Sequence, residues 1–256
     1  MTKLKEVFDR QKALITFITA GDPDIEMTEK LILTMAENGA DIIEVGIPFS
    51  DPIAEGVIIQ EADLRALHNG VTTDKIFEMI ADLRQSIQTP IVIMTYCNVI
   101  FGYGTEEFIS RCHEIGVDGL IVPDLPYEEK AEFQPFCTKY GVCLCSMAAP
   151  TSKERTSTIA KNAEGFLYLI TSGLTGEGSL KKTSIAEMTA YAKSESDIPC
   201  AVSCDYQEEV SFAELADLAD GIIIENAIVE LISKYGKDSV QPVGDYVRNV
   251  AQEIHR

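Results

Sequence analysis

An alternation running from end to end constrains this chain most. Short apolar runs recur eight times, at residues 13–20, 41–48, 90–96, 119–125, 143–149, 166–172, 200–204 and 221–225. Polar, helix-prone stretches lie between and after them, at 27–38, 73–86, 106–114, 128–140, 152–160, 184–193, 208–218 and 243–255. A strand buried on both faces reads as a near-continuous apolar run, and helical crossovers between such strands make a parallel sheet. A spacing of roughly 25–30 residues marks a repeated supersecondary unit. Eight units in 256 residues predict a closed (β/α)8 barrel of the α/β class, a TIM barrel. The rival, an open doubly wound sheet, carries a Gly-rich phosphate turn after its first strand. Here that strand runs instead into Ala20-Gly21-Asp22-Pro23. No Pro/Ser/Gly-rich linker divides the chain, so residues 1–256 are expected to form one barrel domain.

Charge narrows the partners. Lys plus Arg number 21 against 41 Asp plus Glu, a net −20. That argues against nucleic acid or an anionic membrane surface, and a phosphorylated substrate would need backbone N–H groups or a helix N-terminus. The seven cysteines, at 97, 112, 137, 143, 145, 200 and 204, form no CxxC. Their odd number and strand positions predict reduced, buried thiols. The histidines, at 68, 113 and 255, do not sit at ligand spacing from them, so no metal site is expected. The N-terminal segment is charged and amphipathic, and no apolar stretch is long enough to span a bilayer. A soluble, cytoplasmic protein is the expectation.

Within this frame one stretch stands out, EVGIPFSDPIAEG at residues 44–56. Glu44 interrupts the second apolar run, and Glu55 follows in a loop rich in Gly and Pro. A carboxylate inside a strand costs several kcal/mol of desolvation unless it is partnered or protonated. Glu44 is either part of a structural polar layer or a proton-transferring acid with a raised pKa at the barrel's C-terminal mouth. Glu55 is either a solvated loop acid or its complement, since two acids in different environments can divide donor and acceptor roles. Asp22 and Asp124 end the first and fourth runs beside prolines and are expected to cap turns or helices. Phe17, Tyr96, Ile100, Phe101 and Tyr168 fall near strand ends, as core or as a pocket for a flat apolar ligand. The loops at 48–60 and 173–183 are long and should lie on the C-terminal face, where barrels build active sites.

In order along the chain, FITAGDPD, EVGIPFSDPIAEG, IQEADLRAL, PIVIMTYCNVIFGYG, GVDGLIVPDLP, GFLYLITSGLTG and ENAIVELI resemble the tryptophan synthase alpha subunit over essentially the whole length. The resemblance implies a (β/α)8-barrel lyase of tryptophan biosynthesis. Such an enzyme cleaves indole-3-glycerol phosphate by a retro-aldol reaction to indole and glyceraldehyde 3-phosphate. It implies no cofactor in this chain, and a partner, a pyridoxal-phosphate beta subunit that condenses the indole with serine. It puts the proton shuttle between indole C3 and the glycerol hydroxyl on Glu44, and the acid facing the indole N–H on Glu55, where the family usually has Asp. It places Phe17, Tyr96, Ile100 and Tyr168 around the indole, Thr175 and Gly176 in the mobile sixth loop, and Asn226 beside the phosphate.

Three positions depart from the family pattern. Val57 stands for the usual Pro after the second acid, adding a backbone donor. The seventh run continues as Ser203-Cys204-Asp205-Tyr206, without the family's glycines. After the eighth, Glu225-Asn226 replaces Gly-Ser. At a helix N-terminus Glu225 would border the phosphate and repel it by ~4 kcal/mol at 4 Å and an effective dielectric of 20, unless Lys181 or Lys182 neutralised it. Two further readings therefore stand beside the lyase: a weakly catalytic protein that regulates a beta subunit, and a barrel lyase for a non-phosphorylated indole substrate.

Overall fold

The eight runs become strands because they are rich in Ile, Val and Leu, and they close on one another. The computed structural model describes residues 2–149, 152–170, 182–204 and 211–255. Its strands are β1 Ala13–Thr19, β2 Ile42–Gly46, β3 Ile91–Met94, β4 Gly119–Ile121, β5 Cys143–Ala148, β6 Leu167–Leu169, β7 Cys200–Ser203 and β8 Gly221–Ile224. All pair in parallel, in sequence order, and β8 returns to β1 to complete the barrel.

The helices, in chain order, begin with α1 Lys3–Phe8, α2 Ile25–Glu37, α3 Val57–His68 and α4 Thr73–Leu83. Next come α5 Cys97–Tyr103, α6 Thr105–Glu114, α7 Gln134–Tyr140 and α8 Lys153–Lys161. The last four are α9 Lys182–Lys193, α10 Phe212–Leu218, α11 Asn226–Tyr235 and α12 Val240–Ile254. Some starts carry their own caps: Asp24 accepts from the Met27 N–H at 2.8 Å, and Ser211 and Glu214 form a reciprocal capping box.

Strand side chains alternate between faces with period two. Leu14, Ile18, Ile43, Val45, Ile93 and Leu120 face outward and form the layer beneath the helices. Ile15, Phe17, Ile42, Val92, Met94, Ile121, Cys145, Tyr168, Ala201 and Ile223 form a second cluster, the barrel interior. The charged N-terminal segment folds as α1, and its Leu4, fully buried, joins this interior cluster. All seven cysteines are free, five of them buried. Among the described residues no helix is long and apolar enough to cross a membrane.

Candidate active site

The period-two rule decides what enters the barrel. Glu44 follows the inward Ile42 by two residues and lies in one layer with Phe17 and Val92. It is completely buried, and neither carboxyl oxygen has a hydrogen-bond partner among the described residues. Burial, then the facing charges of Glu225 and Glu55, holds its carboxyl well above the ordinary carboxylate range. The site thus favours the protonated form of Glu44, a carboxyl suited to donate a proton first and accept one afterwards.

Glu55 is no solvated loop acid. Burial, then repulsion from Asp63, pushes it up to about 8. Asp63, on α3 and 4% exposed, is itself raised by burial to about 7. The loop carrying Glu55 is held from three sides. The Ala54 N–H donates to the Tyr96 hydroxyl at 3.1 Å, and Gln60 Nε2 donates to the Glu55 carbonyl at 2.8 Å. Phe49 stacks on Tyr96 with ring centroids 5.1 Å apart, and its N–H donates to Asp63 Oδ2 at 3.4 Å. Helix α3 itself is tied to the end of β1 by Arg65, whose Nε and Nη2 each reach an oxygen of Asp22 at 2.8 Å.

The structure brings Phe17, Tyr168, Tyr96 and the two acids to the same end of the barrel. Gly46 packs against the Phe17 ring so closely that a Cβ there would meet Phe17 Cζ at 2.7 Å. Other expectations are corrected. Ile100 is buried, but in the layer beneath the helices and not with the interior cluster. Phe101 is half exposed and stacks on Phe133. Asp22 caps no helix; it is the buried half of an ion pair. Asp124 does cap one, across the sheet, accepting from the first N–H of α5, that of Cys97, at 2.9 Å. The loop after β2 is shorter than expected, because α3 begins at Val57. Thr175, Gly176, Lys181, Asp205 and Tyr206 lie outside the described residues.

Glu225 is the largest correction. It does stand at the N-terminus of α11, with Asn226 as the first helical residue. Its parity, however, is that of Gly221 and Ile223, and its carboxyl turns into the barrel. There Ser203 Oγ donates to Glu225 Oε2 at 2.8 Å, both residues are buried, and Glu44 feels its charge. Asn226 Oδ1 is buried without a hydrogen-bond partner among the described residues. Sequence reasoning missed Asp63 altogether. No local signal marked it: QEADLRAL mixes acids with Ala and Leu, and the contact that places Asp63 joins residues 14 positions apart. Among the described residues no group of His, Cys, Asp and Glu is placed to hold a metal ion.

Fold and site together define the class, a (β/α)8 barrel with titratable carboxyl groups gathered at its mouth, the form of a barrel enzyme. Residues 3–255 match the family model described as tryptophan synthase alpha chain. The tryptophan synthase alpha chain of Lacticaseibacillus casei is 39% identical over 98% of this chain and 94% of that protein. That of Thermoanaerobacter pseudethanolicus is 42% identical over 95% and 94%. The crystal structure of tryptophan synthase subunit alpha from Legionella pneumophila superposes with a TM-score of 0.89 at 33% identity, covering 99% of this chain and 98% of that one. A chain of the tryptophan synthase complex from Pyrococcus furiosus gives 0.84 at 33% identity, over 94% and 98%. The chain belongs to the tryptophan synthase alpha chain family, carbon–carbon lyases of tryptophan biosynthesis that split indole-3-glycerol phosphate into indole and glyceraldehyde 3-phosphate.

Proposed function

We propose that this chain performs that cleavage by passing one proton through Glu44. The protonated carboxyl donates to indole C3, and positive charge develops at the ring nitrogen. The Glu44 carboxylate then takes the proton of the hydroxyl on the carbon attached to C3. The bond between that carbon and C3 breaks, the aldehyde of glyceraldehyde 3-phosphate forms, and its electrons restore the aromatic indole. Glu44 ends protonated, as it began. Glu55 faces the ring N–H and stabilises the charge developing there. The observation that carries the reading is Glu44 itself, fully buried, raised and unpartnered among the described residues. Among the described residues an acid in that state has no structural partner to explain it.

Phe17, Tyr168 and Tyr96 supply apolar walls for a flat ring. Ile100 supports them from behind. Asn226 offers the first N–H groups of α11 to the far end of the substrate. Thr175 and Gly176 are assigned to loop closure by the resemblance alone. The partner is a pyridoxal-phosphate beta subunit that consumes the indole, both working in the cytoplasm. The surface at residues 50–54 and 96–104 is its docking region, and its exposed Ile53, at 73%, and Phe101, at 51%, suit an apolar interface. The test is steady-state indole release from indole-3-glycerol phosphate, with and without the beta subunit, for the native chain and Glu44→Gln. Native-like turnover in the variant overturns the assignment.

One observation favours a second reading. The buried Glu225 carboxyl adds a further acid to the mouth, which suits a substrate lacking the phosphate. The same assay run on dephosphorylated indolylglycerol decides between them.

A further inference from the structure

One buried acid is unused by the reaction as written. Asp63 meets Glu55 in a hydrogen bond, and both are largely shut off from water. The groups facing this pair come from four elements. Glu44 comes from β2 and the Tyr96 hydroxyl from the start of α5. Asp22 comes from the end of β1, and Arg65 is on α3 itself. Among the described residues Arg65 is the cation of this neighbourhood, and its fork is already spent on Asp22. No ion pair reaches Glu55 or Asp63 among the described residues. Two carboxyls in contact, buried and without a cation, do not both ionise; the pair keeps one proton between them. The other oxygen of Glu55, Oε2, is buried and without a hydrogen-bond partner among the described residues, available to a ring N–H.

We propose that Asp63 is a positioning residue of the lyase: it shares one proton with Glu55 and takes it over as positive charge develops on the substrate's ring nitrogen. This rests on the reaction proposed above. The Glu55 O–H bond breaks and an Asp63 O–H bond forms, so the pair gains and loses no proton overall. Glu55 thereby becomes a full carboxylate only when the charge it stabilises exists, the condition for lowering a barrier instead of merely binding substrate. When the aromatic ring reforms, the proton returns. The N–H of Phe49, donating to Asp63, keeps that carboxyl aimed at the loop.

The experiment uses Asp63→Asn and Asp63→Leu in the full chain. Asparagine keeps an acceptor for the Phe49 N–H and a donor for Glu55, but takes no proton. Glu55 then titrates alone. Its carboxyl carbon, followed by 13C NMR without any turnover, is expected to titrate at least about one pH unit lower than in the native chain. The acid limb of the rate profile for indole-3-glycerol phosphate should move with it. Because Glu55 would be ionised in the ground state as well, kcat should fall about fivefold with a parallel fall in KM. Asp63→Leu, which removes the acceptor of the Phe49 N–H and the α3 partner of Glu55, should lose more than about tenfold in kcat/KM, with asparagine recovering part of it. A Glu55 titration and rate profile in Asp63→Asn superimposable on the native ones would overturn the proposal. Failure of the native chain to cleave the substrate would instead strike the proposed reaction, and the NMR titration would still decide whether the proton is shared.

Discussion

Replacing Arg65 with methionine removes the one cation that α3 directs at the barrel mouth while keeping its apolar stem. In the native chain the guanidinium grips Asp22 through two hydrogen bonds of 2.8 Å, and the Asp22 side chain is 2% exposed against 33% for Arg65. At 2.8 Å the charges attract by about 6 kcal/mol at an effective dielectric of 20. Much of that offsets desolvation, so the pair's net worth is smaller. Breaking it is a different matter, because Asp22 is left buried and uncompensated, which costs about 3–5 kcal/mol. For a chain of this length each kcal/mol moves Tm by about 2–4 °C, so Arg65→Met should lower Tm by at least about 6 °C. Differential scanning calorimetry measures it. The double variant Asp22→Asn with Arg65→Met should recover most of the loss, since no charge remains buried. A fall below about 2 °C in the single variant, or no recovery in the double, would refute the reasoning that the bidentate pair is what anchors α3. The anchor also holds Asp63 and, through it, the Glu55 loop, so kcat/KM should fall in the single variant and return in the double.

Glu44→Gln should cut lyase turnover by about 10²–10⁴-fold with little change in Tm, measured by indole release, because the amide fills the same space but moves no proton. Glu225→Gln keeps an acceptor for Ser203 but removes a charge that Glu44 feels. Glu44 should then lose its proton at lower pH, shifting the alkaline fall of kcat toward acid, and KM for the phosphorylated substrate should drop. Folded-state stability should decline as pH rises. Glu55 and Asp63 ionise near 4.5 and 3.8 when unfolded but near 8 and 7 when folded, so their contribution is complete below about pH 4 and lost through pH 7–8. Urea midpoints at pH 5 and 8.5 test this, and Glu55→Gln should flatten the slope.

How much of this was legible in the sequence follows from the range of the interactions involved. The barrel was, because its signal is local. Each apolar run marks its own strand, and the eightfold spacing counts the units. Glu44 was legible for the same reason, as a lone acid in an apolar strand. Four helices were not, the short α1 among them. The segment 57–68 mixes Ile and Ala with acids and continues from a loop, while α5 and α11 start directly from strand ends with apolar residues, so their periodicity is masked. The Arg65–Asp22 pair, the Phe49–Asp63 contact and the cap that Asp124 gives α5 join residues 43, 14 and 27 positions apart. No pattern along the chain announces them.

Glu225 shows how two local rules compete. Read as the residue before a helix, it belongs to the cap and its charge to the helix dipole. Read as the residue after Gly221-Ile222-Ile223-Ile224, it belongs to the inward parity of β8. The second rule wins, because the backbone at Glu225, with φ −120° and ψ −77°, still carries the strand's side-chain direction into the barrel, where Ser203 waits at the end of β7. The two residues share parity on neighbouring strands: Ser203 pairs in register with Ile223, two before Glu225. The same alternation that sends Glu44 inward from β2 therefore sends Glu225 inward from β8, with Phe17 on β1 between their strands. Two acids 181 positions apart in the sequence converge on the mouth, and the charge of Glu225 raises Glu44's hold on its proton. Period two, applied to every strand end and given precedence over capping, would have found both.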